Sequence, residues 1–90
     1  MSLNNIPVDV ICMNDKTGKL TPLKIRIEND DSTTITTKIN EVVYYKENNY
    51  AGYSTFDYGC KVTIDEVEQL IQLRYYVADH VWKINKVVWG

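Results

Sequence analysis

The sequence predicts an all-β domain, a small antiparallel barrel or strongly bent sheet of about six strands. Three observations carry that prediction. Stretches such as LTPLKIRIE and STFDYGCKVTI alternate apolar and polar side chains with a period of two. Val, Ile, Thr and Tyr, which suit a pleated surface, dominate these stretches. Short segments rich in Asn, Asp, Ser and Gly separate them at near-regular spacing.

The first strand is expected over Ile6–Met13, with Ile6, Val8, Val10 and Cys12 on one face and Ile11 and Met13 half-buried on the other. Pro7 cannot donate to a ladder, which points to an edge or a strand start. The turn formers Asn14 to Lys19 follow, and Gly18 can take a positive φ. LTPLKIRIE then sets Leu23, Ile25 and Ile27 against Lys24, Arg26 and Glu28, so the two segments form a hairpin. Asn29 to Ser32 make a second turn into TTITTKI. Asn40-Glu41 bends that strand, EVVYYKE continues it in extended form, and Glu47 to Asn49 open a loop containing Tyr50 and Gly52. From Ser54, parity sends Phe56, Tyr58, Cys60, Val62 and Ile64 to the core.

Residues 64–78 have two readings. Thr63 and Glu66 have the T-x-x-E spacing of a helix-capping box, and Val67, Leu70, Ile71 and Arg74 fall at helical spacing, which would make the fold α+β. Alternation of Ile71, Leu73 and Tyr75 with Gln72, Arg74 and Tyr76 favours a strand instead, with Asp65-Glu66 as a hairpin turn. The hairpin is the favoured reading. Ala78 to His80 then turn the chain into VWKINKVVW.

Ninety residues form one domain, and residues 1–5 are expected to be disordered or left over from expression. The formal charge is -2, and each half of the chain carries five bases and six acids, so no basic or acidic segment stands out. There is no signal-peptide pattern, and no apolar run approaches the roughly 20 residues of a membrane span. A reduced cytoplasmic protein is expected, with Cys12 and Cys60 as buried free thiols.

No constellation of side chains points to catalysis, a cofactor or a metal. His80 lies in a turn beside Asp79 without a nucleophile or second carboxylate in reach. Two isolated cysteines and one histidine leave a zinc tetrahedron a ligand short. Glu28 to Ser32 lacks the spacing of a calcium loop.

Ile6-Pro7-Val8-Asp9-Val10, Pro22-Leu23-Lys24-Ile25, Leu73-Arg74-Tyr75 and Val81-Trp82-Lys83 together resemble a family of short, uncharacterised all-β proteins of low-GC Gram-positive bacteria. The resemblance implies an all-β fold and no known activity, and it offers no functional residues to carry over. The first functional expectation is therefore a non-enzymatic interaction module, binding a protein partner or a second copy. It would act through a sheet edge or through exposed Tyr45, Tyr50, Tyr53 and Tyr76. The alternative is a weak single-stranded nucleic-acid or nucleotide binder that stacks bases on surface tyrosines, against which the mildly acidic composition counts.

Overall fold

The computed structural model describes residues 3–90. It is an all-β structure: β1 (Ile6–Asn14), β2 (Leu20–Glu28), β3 (Thr34–Lys38), β4 (Glu41–Tyr50), β5 (Tyr53–Ile64), β6 (Val67–Tyr76) and β7 (Val81–Trp89). All pairs are antiparallel, in the order β3-β2-β1-β7-β6-β5-β4. There are seven strands rather than six because the chain breaks at Ile39-Asn40 and its two parts join different neighbours. The helix alternative for 64–78 is excluded: Asp65 and Glu66, both at positive φ, form a two-residue turn between β5 and β6.

The sheet curls into a half-barrel whose inner face is the core. Ile25 and Ile27 of β2, Tyr58, Cys60 and Val62 of β5, Ile71 and Leu73 of β6, and Trp82 and Ile84 of β7 are buried together. At the end nearest the β4–β5 and β6–β7 turns the core is aromatic. Tyr45, Phe56, Tyr75, Trp82 and Tyr58 form a closed ring, with successive centroids 5.9, 6.0, 4.8, 5.6 and 5.0 Å apart. The Tyr58 hydroxyl crosses the interior and donates to the Leu20 carbonyl of β2 at 2.7 Å. That bond ties the two walls of the half-barrel together where no ladder joins them. Burial pushes the Tyr58 phenol well above its ordinary range and the Cys60 thiol up to about 12. Both cysteines are free thiols.

Several expectations are corrected. Residues 3–5 belong to the fold, since Leu3 is in the core and the Asn5 N–H donates to the Asn85 carbonyl at 3.1 Å. The expectation for Met1 and Ser2 lies outside the described residues. β1 is an interior strand that begins at Ile6, so of the two readings of Pro7 the strand start holds and the sheet edge does not. Pro7 is tolerated because residues 6–8 pair only with β7 and residues 9–14 only with β2. Ile11 and Met13 are exposed, not half-buried. Leu23 also faces solvent, because a bulge opposite Ile11/Cys12 inserts one extra residue and reverses the phase of β2. Pro22 is turned inward instead and is fully buried at that irregularity, where a missing N–H does the least harm to the ladder.

The turns are held by short side chains. In the β1–β2 turn one Asp15 oxygen accepts from the Thr17 hydroxyl at 2.6 Å, the Thr17 N–H at 2.9 Å and the Lys19 N–H at 3.0 Å, while Gly18 takes φ 89°. Asp31 and Thr33 repeat the arrangement in the β2–β3 turn. The Thr17 hydroxyl, then the two amides, hold the Asp15 carboxyl below its ordinary 3.8. A depressed folded-state value stabilises the turn above 3.8 and loses that stabilisation as pH falls through the lowered value. Thr17→Val should therefore move the Asp15 carboxyl back toward 3.8 in a carbon-detected NMR titration, and an unmoved titration would contradict this account. Tyr58→Phe should cost about 1 kcal/mol in urea unfolding, because the Leu20 carbonyl loses its donor inside the structure.

Candidate interaction surface

The side chains of β4 to β7 that do not enter the core form an ordered outer face. Pairing across the four strands lines them up in rows. One row reads Lys46, Asp57, Arg74, Lys83. The row on the side of the β4–β5 turn holds Asn48, Thr55, Tyr76 and Val81, and beyond it Tyr50 faces Tyr53. On the other side lie Tyr44, Gly59, Gln72 and Lys86.

At the centre is a buried ion pair that sequence reasoning missed. Asp57 is only 3% exposed. Arg74 grips it with two donors, Nε to Oδ1 at 2.6 Å and Nη2 to Oδ2 at 3.1 Å. Asn48 Nδ2 donates to Asp57 Oδ2 at 2.7 Å. On the other flank Arg74 Nη1 reaches Asn85 Oδ1 at 3.4 Å, Asn85 Nδ2 donates to Gln72 Oε1 at 2.6 Å, and Gln72 Nε2 donates to the Tyr44 hydroxyl at 3.1 Å. Asn85 can reach both neighbours because a bulge in β7 inserts it between the residues opposite Gln72 and Leu73. The network links all four strands. The hydrogen bonds that Arg74 donates to Asp57 raise its guanidinium above the ordinary value.

The closeness of Tyr44 to the sheet depends on Gly59. A Cβ built there would lie 2.0 Å from Tyr44 Cε2, so the ring rests on bare backbone. Opposite Val42/Tyr44 a bulge leaves Val43 unpaired and turns Tyr44 outward and Tyr45 inward.

That bulge divides the four tyrosines. Tyr50, Tyr53 and Tyr76 share the outer face, and Lys83 Nζ lies 5.3 Å from the centre of the Tyr76 ring. Tyr45 is on the inner face, packed on Phe56 and Tyr58, with its hydroxyl donating to Glu47 at 2.7 Å. Desolvation beside those rings, and then the Glu47 carboxylate, push its phenol up to about 12. Tyr50 and Tyr53 are 83% and 72% exposed and flank the two-residue turn Ala51-Gly52, so β4 extends to Tyr50 where a longer loop was expected.

The second feature is an open edge. β4 pairs with β5 alone and is the last strand of the sheet. Ala51 and Gly52 both have positive φ, the signature of a two-residue hairpin turn, so Tyr50 and Tyr53 exchange backbone hydrogen bonds. By antiparallel alternation, Asn49, Glu47 and Tyr45 then turn their N–H and C=O groups toward the open side.

His80 is an exposed turn residue at φ 56° whose Nδ1 lies 3.0 Å from the Tyr75 hydroxyl. Among the described residues no three or more His, Cys, Asp or Glu side chains converge as a metal site. Among the described residues no helix is long and apolar enough to cross a membrane. Comparison with protein-family models, with curated proteins and with solved structures finds no match to this chain.

Removing one partner of the central pair should expose its weight. Arg74→Met leaves Asp57 as an unpaired buried carboxylate and should cost about 3 kcal/mol. Asp57→Asn combined with Arg74→Met should cost less than the two single changes added together. Additive losses in chemical denaturation would show that the pair does not act as a unit.

Proposed function

We propose that this chain is a non-enzymatic interaction module that captures an extended protein segment along the free side of β4. The observation that supports this reading best is the edge itself. It is a ten-residue strand without proline, bonded on one side only, with Val43, Tyr44 and Tyr45 exposed along it. Isolated edges of this length usually carry protection by proline, inward-pointing charges or a covering loop. Here Lys46 and the bulge at Val43 supply only partial protection, and the half nearest the turn keeps an unbroken register with β5. An added strand would gain main-chain hydrogen bonds from Tyr45, Glu47 and Asn49. It would also extend the aromatic inner face that Tyr45 terminates. A second copy of the chain offers the same edge, so a homodimer is the simplest partner.

The non-enzymatic reading is supported by what the reactive groups already do. Both Asp57 oxygens are engaged by Arg74 and Asn48, the Cys60 thiol is buried and raised to about 12, and His80 stands on an exposed turn. In this reading the module works in the reducing cytoplasm, where Cys12 and Cys60 remain thiols.

Hydrogen exchange followed over a concentration series tests the edge directly. In dilute protein the amides of Tyr45, Glu47 and Asn49 should exchange fast while those of Tyr44, Lys46 and Asn48 are protected by β5. Self-association should slow the first set, and Glu47→Pro, which removes an outward donor, should abolish that slowing. A sedimentation profile that stays monomeric to high micromolar concentration would remove the homodimer. Fast exchange at all three amides in the presence of every strand-forming peptide offered would remove the edge reading as a whole.

A further inference from the structure

The fold sorts charges that are evenly mixed along the chain. Of the twelve acids, Glu28, Asp30, Asp31, Asp65, Glu66 and Glu68 lie in or beside the β2–β3 and β5–β6 turns, at one end of the half-barrel. Three rows on the outer face of β4 to β7 receive Lys46, Arg74, Lys83 and Lys86 with Asp57 as their one acid, while Glu41, Lys61 and Glu68 lie on the same face nearer the β5–β6 turn. Asp57 is buried and held by Arg74. Elsewhere Arg26 is paired with Asp9 and Lys61 with Glu41. Lys46, Lys83 and Lys86 form no ion pair among the described residues.

Next to these lysines stand the two most exposed aromatic rings of the molecule, Tyr50 and Tyr53. Lys46, Tyr50, Tyr53, Arg74, Asn85 and Lys86 line one shallow depression. Lys46 and Lys83 are three strand spacings apart, about 14 Å. From the Tyr50–Tyr53 row to the Lys86 row is three steps of two residues, about 20 Å along the strands. This is a positively charged track with stacking rings at one end, and planar amide and guanidinium groups lie between them. Single-strand nucleic acids meet those features with backbone phosphates and unstacked bases.

We propose that the outer face of β4 to β7 binds single-stranded nucleic acid, with phosphates on Lys46, Lys83 and Lys86 and bases stacked on Tyr50 and Tyr53. The net charge of the chain does not oppose this, because half of the acids lie at the far end of the molecule and the three rows set Lys46, Lys83 and Lys86 against a single acid, Asp57, that Arg74 already pairs. The buried Asp57–Arg74 pair has a positioning role. It fixes the middle of the row between Lys46, which is exposed, and Lys83, which is half-buried with its Nζ over the Tyr76 ring. The track accommodates about four nucleotides, the lower end of single-domain site sizes.

Fluorescence anisotropy with a labelled oligothymidylate of about ten nucleotides tests this. Three lysine contacts predict that log affinity falls with log salt at a slope of about -2. Replacing Lys46, Lys83 and Lys86 together by Gln should weaken binding at low salt by at least tenfold and flatten the slope. Tyr53→Ala should weaken it about tenfold and leave the slope unchanged. Lys24→Gln with Lys38→Gln, on the other part of the sheet, should change little. All these positions lie on the surface, and thermal melts check that each variant is folded. No anisotropy change at low salt overturns the proposal. So does a Tyr53→Ala variant that binds oligothymidylate unchanged, or heparin binding as tight as the oligonucleotide, since either would make the face a general polyanion surface.

Discussion

The step from β3 to β4 constrains everything else in this molecule. These strands are consecutive in the chain, separated only by Ile39 and Asn40, yet they occupy opposite ends of the seven-strand order. In a flat sheet those ends would be about 29 Å apart, six strand spacings. The chain from Lys38 to Glu41 can span about 11 Å. The sheet must therefore curl until β3 meets β5, and residues 39–40 bind both walls. The Ile39 N–H donates to the Leu23 carbonyl of β2 and the Asn40 N–H to the Lys61 carbonyl of β5, each at 2.8 Å. Thr37 and Asn40 add side-chain bonds to Thr63, both at 3.0 Å. The curl creates an inside, and with it the core.

The same closure explains why an edge stays open. β3 covers β5 only where β4 begins, so the rest of β4 runs along the rim without a neighbour. On the opposite wall β3 pairs with β2 only from Lys24 onward, and the upper part of β2 is also uncovered. The aromatic ring and the Tyr58–Leu20 hydrogen bond hold the two walls together across that gap. Large rings suit this position, since each carries much apolar area and a hydroxyl that can reach a distant carbonyl. Core, edge and outer face thus follow from one two-residue crossing.

Much of this was legible in the residues. Parity over Ser54 to Ile64 assigned the buried face of β5 correctly, and the Asp15 and Asp31 turns stand where turn formers cluster. The Asp57–Arg74 pair was legible in principle, because a two-residue turn at Asp65-Glu66 sets every pairing beyond it. The turn has no glycine, and its T-x-x-E pattern imitates a helix cap, so helix and hairpin compete in the residues that set this register. Other features left no local mark. Three of the four bulges among the described residues, at Leu23, Val43 and Asn85, reverse side-chain phase with no glycine in the bulged strand beside them. They expose Leu23, separate Tyr45 from the other tyrosines, and bring Asn85 to Arg74.

The sequence by itself determined the class of fold, the strand-forming segments, most of the buried face and the turn chemistry. These are local properties, set by side-chain alternation and by backbone preferences within a few residues. Tertiary structure alone decided which strands lie at the edges, how bulges redirect side chains, and where charge accumulates. Those depend on pairings between residues far apart in the chain. An even mixture of Lys and Glu along ninety residues says nothing about a surface until a sheet has placed Lys46, Lys83 and Lys86 on one face and the acidic turns at one end.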